Sequence, residues 1–375
     1  MKKVGLIGCG NIAETYFRSQ EYFNNIQFIS CADIYEEASK KCAALNNINS
    51  QTVDELLSNK EVDVVLNLTI PQSHYEVTKK TLLANKHSYC EKPLSISFDQ
   101  GKELVQIAKS RNLYLGNAPD TFLGGGGQLT RQKIDEGEIG KILTGNFIFA
   151  FPGVQTFHPN PESWFHKGGG PVIDMGPYFF TTLVNLLGPA KNVFTQSRTV
   201  YQKRVIGSGD RQGQEIEVEI PTTLVSQIEF ESGALIDSFF SFDVWKHSKN
   251  HIELYGDKGS INIPDPNMFG GDILVCKTKN GDWKNIDTKN NNLGKINFKY
   301  ESAGFANYRG IGVSETVDAI KNNRLNRCSG ELSLHVLDIL DSIIKSSKEN
   351  KKIELRSSIK NLNYFSEDEI SNLLK

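Results

Sequence analysis

The chain has 375 residues, 38% of them hydrophobic and 23% charged, with a net charge of −2. That is enough apolar material for two domains of about 150 residues each, and the near-neutral charge excludes a general nucleic-acid or anionic-membrane binder, since both need a basic surface excess. No stretch is long enough to span a bilayer, and the apolar run before Leu6-Ile7-Gly8-Cys9 is too short for a signal peptide. The six cysteines form no CxxC pair, which fits reduced thiols in a cytoplasmic protein, and with the seven histidines they show no metal-ligand spacing, so no metal is expected.

Up to Pro119 strand and helix signals alternate. Apolar runs predict strands at 4–7, 26–32, 62–68, 87–90 and 113–115, with helices between them at 12–20, 36–45, 73–83 and 98–109. Strands buried on both faces and separated by helices imply a doubly wound parallel sheet, an N-terminal Rossmann domain over residues 1–119. The pattern then changes. A helix at 128–136 precedes strands at 142–151, 193–200, 222–230, 234–242, 251–255 and 260–263, interrupted by a helix at 173–187 and followed by helices at 313–322 and 331–347. Tight breaks at Glu231-Ser232-Gly233 and Gly256-Asp257-Lys258-Gly259 predict hairpins. Residues 120–375 therefore read as an α+β domain with a large, mainly antiparallel open sheet, suited to substrate binding and oligomerisation.

Gly8-Cys9-Gly10-Asn11-Ile12-Ala13 matches G-x-G-x-x-A between a strand and a helix. The first glycine permits the tight turn, the second lets a pyrophosphate reach the backbone, and the small Ala13 allows close packing of helix on strand. Gly8, Gly10, Asn11 and Ile12 are therefore cofactor-site candidates. Asp33 ends the second strand, where a carboxylate binds adenosine ribose hydroxyls and repels a 2′-phosphate. NAD is favoured over NADP on that ground; the competing role for Asp33 is a helix cap.

Two further segments carry polar residues at strand and helix ends. Lys92, in Cys90-Glu91-Lys92-Pro93, follows a strand at the edge where open α/β sheets bind ligands. Asp174 and Tyr178, after Gly168-Gly169-Gly170, lie four residues apart on one helix face. Each also has a structural reading, as a solvated lysine, a helix-start carboxylate and a core tyrosine. His158 and Trp164 in the preceding loop, and Asp120 at the start of the second domain, are candidates to meet substrate, with an ordinary loop or packing role as the competing reading of each. His74, opening the helix after the third strand, is placed to approach the cofactor.

Taken together these segments resemble the glucose–fructose oxidoreductase and inositol dehydrogenase (Gfo/Idh/MocA) family over nearly the whole chain. The resemblance rests on Gly8 to Ala13, on Thr69-Ile70-Pro71 through His74, on Glu91-Lys92-Pro93, and on the 168–178 segment. It implies that Thr69, Pro71, Glu91 and Lys92 serve the cofactor and that Lys92 and Asp174 line nicotinamide and substrate. Tyr178 stands where many members have histidine. That is similar to the branch containing glucose–fructose oxidoreductase and dimeric dihydrodiol dehydrogenase, where tyrosine is the proposed acid/base. Pro119-Asp120-Thr121-Phe122, Trp245 and the run from Gly170 to Pro189 resemble a bacterial group of sugar dehydrogenases.

The expected chemistry is hydride transfer between NAD and a sugar, polyol or related hydroxy compound. A free tyrosine, with a pKa of roughly 10, is a poor base, and an adjacent ammonium favours its phenolate. Tyr178 is thus expected to exchange the hydroxyl proton, Lys92 to lower its pKa and bond the reacting oxygen, and Asp174 to orient Lys92 or a neighbouring sugar hydroxyl. Two other classes are a glycoside hydrolase using bound NAD for a transient oxidation and a non-enzymatic NAD-responsive binder, for which an intact Lys92, Asp174 and Tyr178 would be superfluous. By resemblance, a homodimer or homotetramer is expected.

Overall fold

The computed structural model describes residues 1–300, 303–360 and 363–375. Its N-terminal strands are β1 (Lys2–Ile7), β2 (Ile26–Ala32), β3 (Asn49–Ser50), β4 (Val64–Asn67), β5 (His87–Cys90) and β6 (Leu115–Asn117), all parallel in the order 3-2-1-4-5-6. The helices between them are α1 (Ala13–Phe17), α2 (Glu36–Asn46), α3 (Val53–Ser58), α4 (Pro71–Leu83) and α5 (Phe98–Ser110). Val64, Val65 and Leu66 have no exposed surface, as a strand covered on both faces requires. The first helix is shorter than its periodicity suggests. It gives way to a 3-10 turn at Arg18–Glu21, where the Ser19 hydroxyl bonds back to the Tyr16 carbonyl. The short β3 and α3 lacked a readable period; the Thr52–Glu55 capping box starts α3.

The second sheet is built from β7 (Ile142–Ala150), β8 (Ala190–Arg198), β11 (Thr223–Phe230), β12 (Leu235–Ser241), β13 (Ile252–Gly256), β14 (Ser260–Ile263), β15 (Ile273–Cys276), β16 (Lys284–Ile286) and β19 (Ile353–Glu354). Their order is 16-15-14-13-7-12-11-8-19, and β9 (Lys203–Val205) pairs with β10 (Glu215–Glu217), β17 (Phe298–Tyr300) with β18 (Ala303–Phe305). The sheet is mostly antiparallel, but β7 and β12 run parallel in its middle. Alternation in β11 buries Leu224, Ser226, Ile228 and Phe230 and turns Val225 and Gln227 outward.

Helix α6 (Gly125–Asp135) opens this half, and α7 (Pro171–Leu187) lies on the sheet's covered face. Phe179 and Phe180 lock α7 there: their rings sit 4.9 and 5.5 Å from that of Phe147 on β7. Such pairs contribute about 0.5–1.5 kcal/mol each beyond the area they bury. The remaining helices, α8 (Ile311–Asn322), α9 (Gly330–Glu349) and α10 (Glu367–Leu373), return toward the first sheet, with α8 against β2, β5 and β6. Leu374 pairs with Phe23, so the chain's last residues close on its first helical segment.

Candidate active site

The glycine turn leaves the C-terminal end of β1. Gly8 has φ +103°, and a Cβ there would lie 2.7 Å from the backbone of Leu68, so the turn and the end of β4 meet without room for a side chain. Around Gly10 the opposite holds: a Cβ would meet nothing within 4 Å. That open concavity at the end of a parallel strand, in front of a helix, is what a dinucleotide pyrophosphate requires. Asn11 and Ile12 continue the turn into α1.

Asp33 faces this turn. Its Oδ2 accepts from the Cys9 N–H at 2.7 Å and its Oδ1 from the Tyr35 N–H at 2.9 Å. The carboxylate is thus fixed between the turn and Tyr35, the residue that opens α2, so it steadies the helix start as well as the turn. These residues fit a nicotinamide dinucleotide: an anion-receptive turn with a carboxylate fixed beside it.

The loop after β4 is held by Asn67, whose Oδ1 accepts from both the Thr69 N–H and hydroxyl, while its amide donates to the His74 carbonyl and Thr78. Pro71 is the first residue of α4, exposed at the mouth of the loop. His74 does not reach that surface, contrary to expectation. It is 1% exposed, and its ring nitrogens face two carbonyl oxygens, Pro93 at 2.6 Å and Thr69 at 2.8 Å. A carbonyl only accepts, so both nitrogens carry protons and the ring is an imidazolium. Burial opposes that charge; the neighbouring Cys90 and then the two carbonyls outweigh it and raise the pKa to about 9. His74 therefore ties the Thr69 loop to the Glu91-Lys92-Pro93 loop from behind, because the helix that carries it turns that face into the sheet.

Lys92 leaves the first domain and meets α7. Its Nζ donates to the Asp174 carbonyl at 2.8 Å and approaches Asp174 Oδ1 at 3.4 Å, with the ammonium 5.3 Å from the centre of the Tyr178 ring. Burial opposes its charge, and Tyr178, Asp174 and Glu91 outweigh it, so Lys92 remains an ammonium and a hydrogen-bond donor. The main anchor is the Asp174 backbone rather than its carboxylate, which stays partly exposed. Tyr178 is 7% exposed, one turn along the same face.

Glu91 stands behind Lys92. Its Oε1 accepts from the Tyr16 hydroxyl at 2.8 Å and its Oε2 from the Lys92 N–H at 2.9 Å. Arg309 Nη1 lies 3.5 Å from Oε1. Burial works against the Arg309 charge, but Tyr178, Asp120 and Glu91 hold it fully protonated. Asn117 braces the same turn, donating to the Cys90 and Glu91 carbonyls at 2.8 and 3.0 Å.

Asp120 is misplaced by the sequence reading. It has no exposed surface; its Oδ2 accepts from the Gly310 and Gly312 N–H groups at the start of α8, and Oδ1 lies 3.9 Å from Arg309. Burial raises its pKa. It secures the segment bearing Arg309 and opens no surface to solvent. His158 and Trp164 pack against each other with their rings tilted, centroids 4.8 Å apart, and Trp164 packs on the Val154–Phe165–Ile206 cluster. Among the described residues no hydrogen bond or ring contact joins either to Lys92, Asp174 or Tyr178. Arg309, Tyr16, Asn67 and Asn117 went unread in the sequence. The two asparagines left a usable signal, a polar residue closing an apolar strand; Arg309, distant in the chain and without a motif, left none.

Comparison with known proteins agrees with this geometry. The model of an oxidoreductase family with an NAD-binding Rossmann fold matches residues 2–118, and that of the GFO/IDH/MocA C-terminal domain matches residues 128–262. An uncharacterized oxidoreductase of Schizosaccharomyces pombe is 31% identical over 41% of this chain, which spans only 42% of that relative's length. The 1,5-anhydro-D-fructose reductase of Ensifer adhaerens is 25% identical over 70% of this chain and 75% of its own. Among solved structures, levoglucosan dehydrogenase in complex with NADH and L-sorbose has a TM-score of 0.80 at 19% identity, covering 95% of this chain and 99% of its own. An NAD-binding oxidoreductase from Klebsiella pneumoniae gives 0.81 at 20% identity, over 96% and 99%. With both family models in register on the two halves whose junction holds Lys92 against Asp174, the chain belongs to the Gfo/Idh/MocA family of oxidoreductases.

Proposed function

We propose that this oxidoreductase moves a hydride between NAD and a secondary alcohol carbon of a sugar or polyol, with Tyr178 as the acid/base. The observation that carries the reading is the ammonium of Lys92, held by Asp174 and set beside the Tyr178 ring. The bound dinucleotide supplies the hydride acceptor or donor. Gly8, Gly10, Asn11 and Ile12 would hold its phosphates, Asp33 its adenosine ribose, and Thr69, Pro71, Glu91 and Lys92 the neighbourhood of its reactive ring. The Asp33 carboxylate favours NAD, because a 2′-phosphate there would meet a fixed negative charge.

Within the chain, Lys92 donates to the reacting oxygen and stabilises negative charge on it. As a persistent ammonium it cannot take the proton, which leaves that step to the Tyr178 oxygen. In the oxidative direction Tyr178 takes the hydroxyl proton, and in the reductive direction it returns it. Asp174 positions Lys92. The relatives named a 1,5-anhydro-D-fructose reductase and a myo-inositol 2-dehydrogenase support a sugar or polyol substrate. We further propose a division of labour near Pro119, a cytoplasmic setting, and a homodimer or homotetramer joined through the outer face of the second sheet, where Val225 and Leu235 are 47% and 56% exposed. Among the described residues no helix is long and apolar enough to cross a membrane.

The test is an absorbance assay for NADH with NAD and a panel of aldoses, polyols, inositols and glycosides, followed by Tyr178→Phe on the active compound. General acid–base assistance is worth about 10²–10⁴-fold, so kcat should fall by that range while NADH binding is kept. Near-normal turnover of Tyr178→Phe would remove the assignment. Glycoside loss without NADH would replace dehydrogenation by a hydrolysis with internal redox.

A further inference from the structure

Three cysteines far apart in the chain converge under the glycine turn. Cys9 lies between Gly8 and Gly10, Cys31 on β2 and Cys42 on α2, and their sulfur atoms all lie within 4.8 Å of one another. Positions 9, 31 and 42 have no ligand spacing as a sequence, so only the fold reveals the group. Cys31 is fully buried, while Cys9 and Cys42 are half-buried. Cys9 and Cys42 both line an open cavity of about 690 Å³ together with Asn11, Glu14, Lys41 and Asn46.

A cysteine used only as a small apolar filler packs its sulfur against carbon; here each sulfur faces two others. The S–H groups of Cys9 and Cys31, weak donors, bond to the Ala32 carbonyl at 3.6 Å and the Ser39 carbonyl at 3.4 Å. Little hydrogen bonding is lost if they deprotonate. With metal–sulfur bonds of about 2.3 Å, three thiolates around one ion sit roughly 4 Å apart, so the present spacing needs only slight contraction.

We propose that Cys9, Cys31 and Cys42 form a three-thiolate site for a thiophilic closed-shell cation of the Zn²⁺ type. Binding forms three metal–sulfur bonds and releases up to three thiol protons to solvent, with no change of oxidation state. The cavity supplies a path for the hydrated ion and room for a water as fourth ligand, and Lys41 on its wall offsets the net negative charge of three thiolates on a divalent ion. The cation ties the glycine turn to β2 and α2. Soft sulfur ligands select such ions over Mg²⁺ or Ca²⁺.

The test uses the full-length, reduced protein titrated with Cd²⁺ and with Zn²⁺. The expected result is one equivalent of Cd²⁺ per chain, read by thiolate-to-metal charge-transfer absorption, and a Zn²⁺-dependent rise in Tm. Cys9→Ser and Cys42→Ser should each lose most of the absorption and the Tm response, with far-ultraviolet circular dichroism confirming that they fold. Cys276→Ser, remote on β15, should keep both. No charge-transfer band in the wild type, or a band that survives in Cys9→Ser and Cys42→Ser, overturns the site. Neither readout depends on turnover, so failure here would leave the dehydrogenase reading untouched.

Discussion

Gly8 and Gly10 sit in one turn but face opposite constraints, and alanine at each should separate folding from cofactor binding. At Gly8, φ +103° strains any L side chain, and the new methyl would lie 2.7 Å from Leu68 backbone atoms that cannot swing aside. The left-handed backbone costs about 1–2 kcal/mol, and the overlap adds about 1–3 kcal/mol of overpacking strain. Gly8→Ala should therefore lose about 2–5 kcal/mol of stability. At Gly10 the methyl enters empty space, so the fold should lose almost nothing. That space is where a pyrophosphate would lie, and displacing one charge-assisted hydrogen bond, worth about 1.5–3 kcal/mol, weakens NADH binding by roughly ten- to 150-fold. Denaturant unfolding and NADH fluorescence titration read the two effects. Gly10→Ala with wild-type NADH affinity would show that the concavity does not hold the phosphates, and the cofactor site would have to be sought elsewhere.

Asp33→Ser removes the fixed carboxylate, so the ratio of NAD to NADP affinity should fall at least tenfold; an unchanged ratio would mean that Asp33 does not face the ribose. The His74 imidazolium has a folded pKa raised to about 9 from 6.5, so its contribution is complete below pH 6.5 and lost as pH rises through 9. At roughly 1.4 kcal/mol per pH unit that is up to about 3 kcal/mol. His74→Gln should flatten the fall in unfolding free energy between those limits, measured by urea denaturation at stepped pH. Asp120→Ala leaves the Gly310 and Gly312 N–H groups without their acceptor and should cost about 2–4 kcal/mol of stability. Because Asp120 is buried, KM for the substrate should stay within a small factor in the folded fraction; a large change in KM at full stability would return Asp120 to the substrate site.

Much of the first domain was legible because its signals are local. The apolar run at Val64 to Leu66, the glycine spacing and the carboxylate ending β2 are short-range consequences of strand burial and of how a turn admits phosphate. Lys92, Asp174 and Tyr178 could be nominated for the same reason, each lying at the end of a readable element. What the chain order alone established is therefore a parallel dinucleotide-binding sheet, a second antiparallel-rich sheet and a short roster of polar residues at their edges. Tertiary structure decided which of those residues meet. It set Lys92 on the Asp174 carbonyl, brought Arg309 to Glu91, buried His74 and Asp120 behind the site, and gathered Cys9, Cys31 and Cys42. The reason is that burial and charge pairing are properties of surfaces brought together over long chain separations, and periodicity reports only which face of one element is apolar.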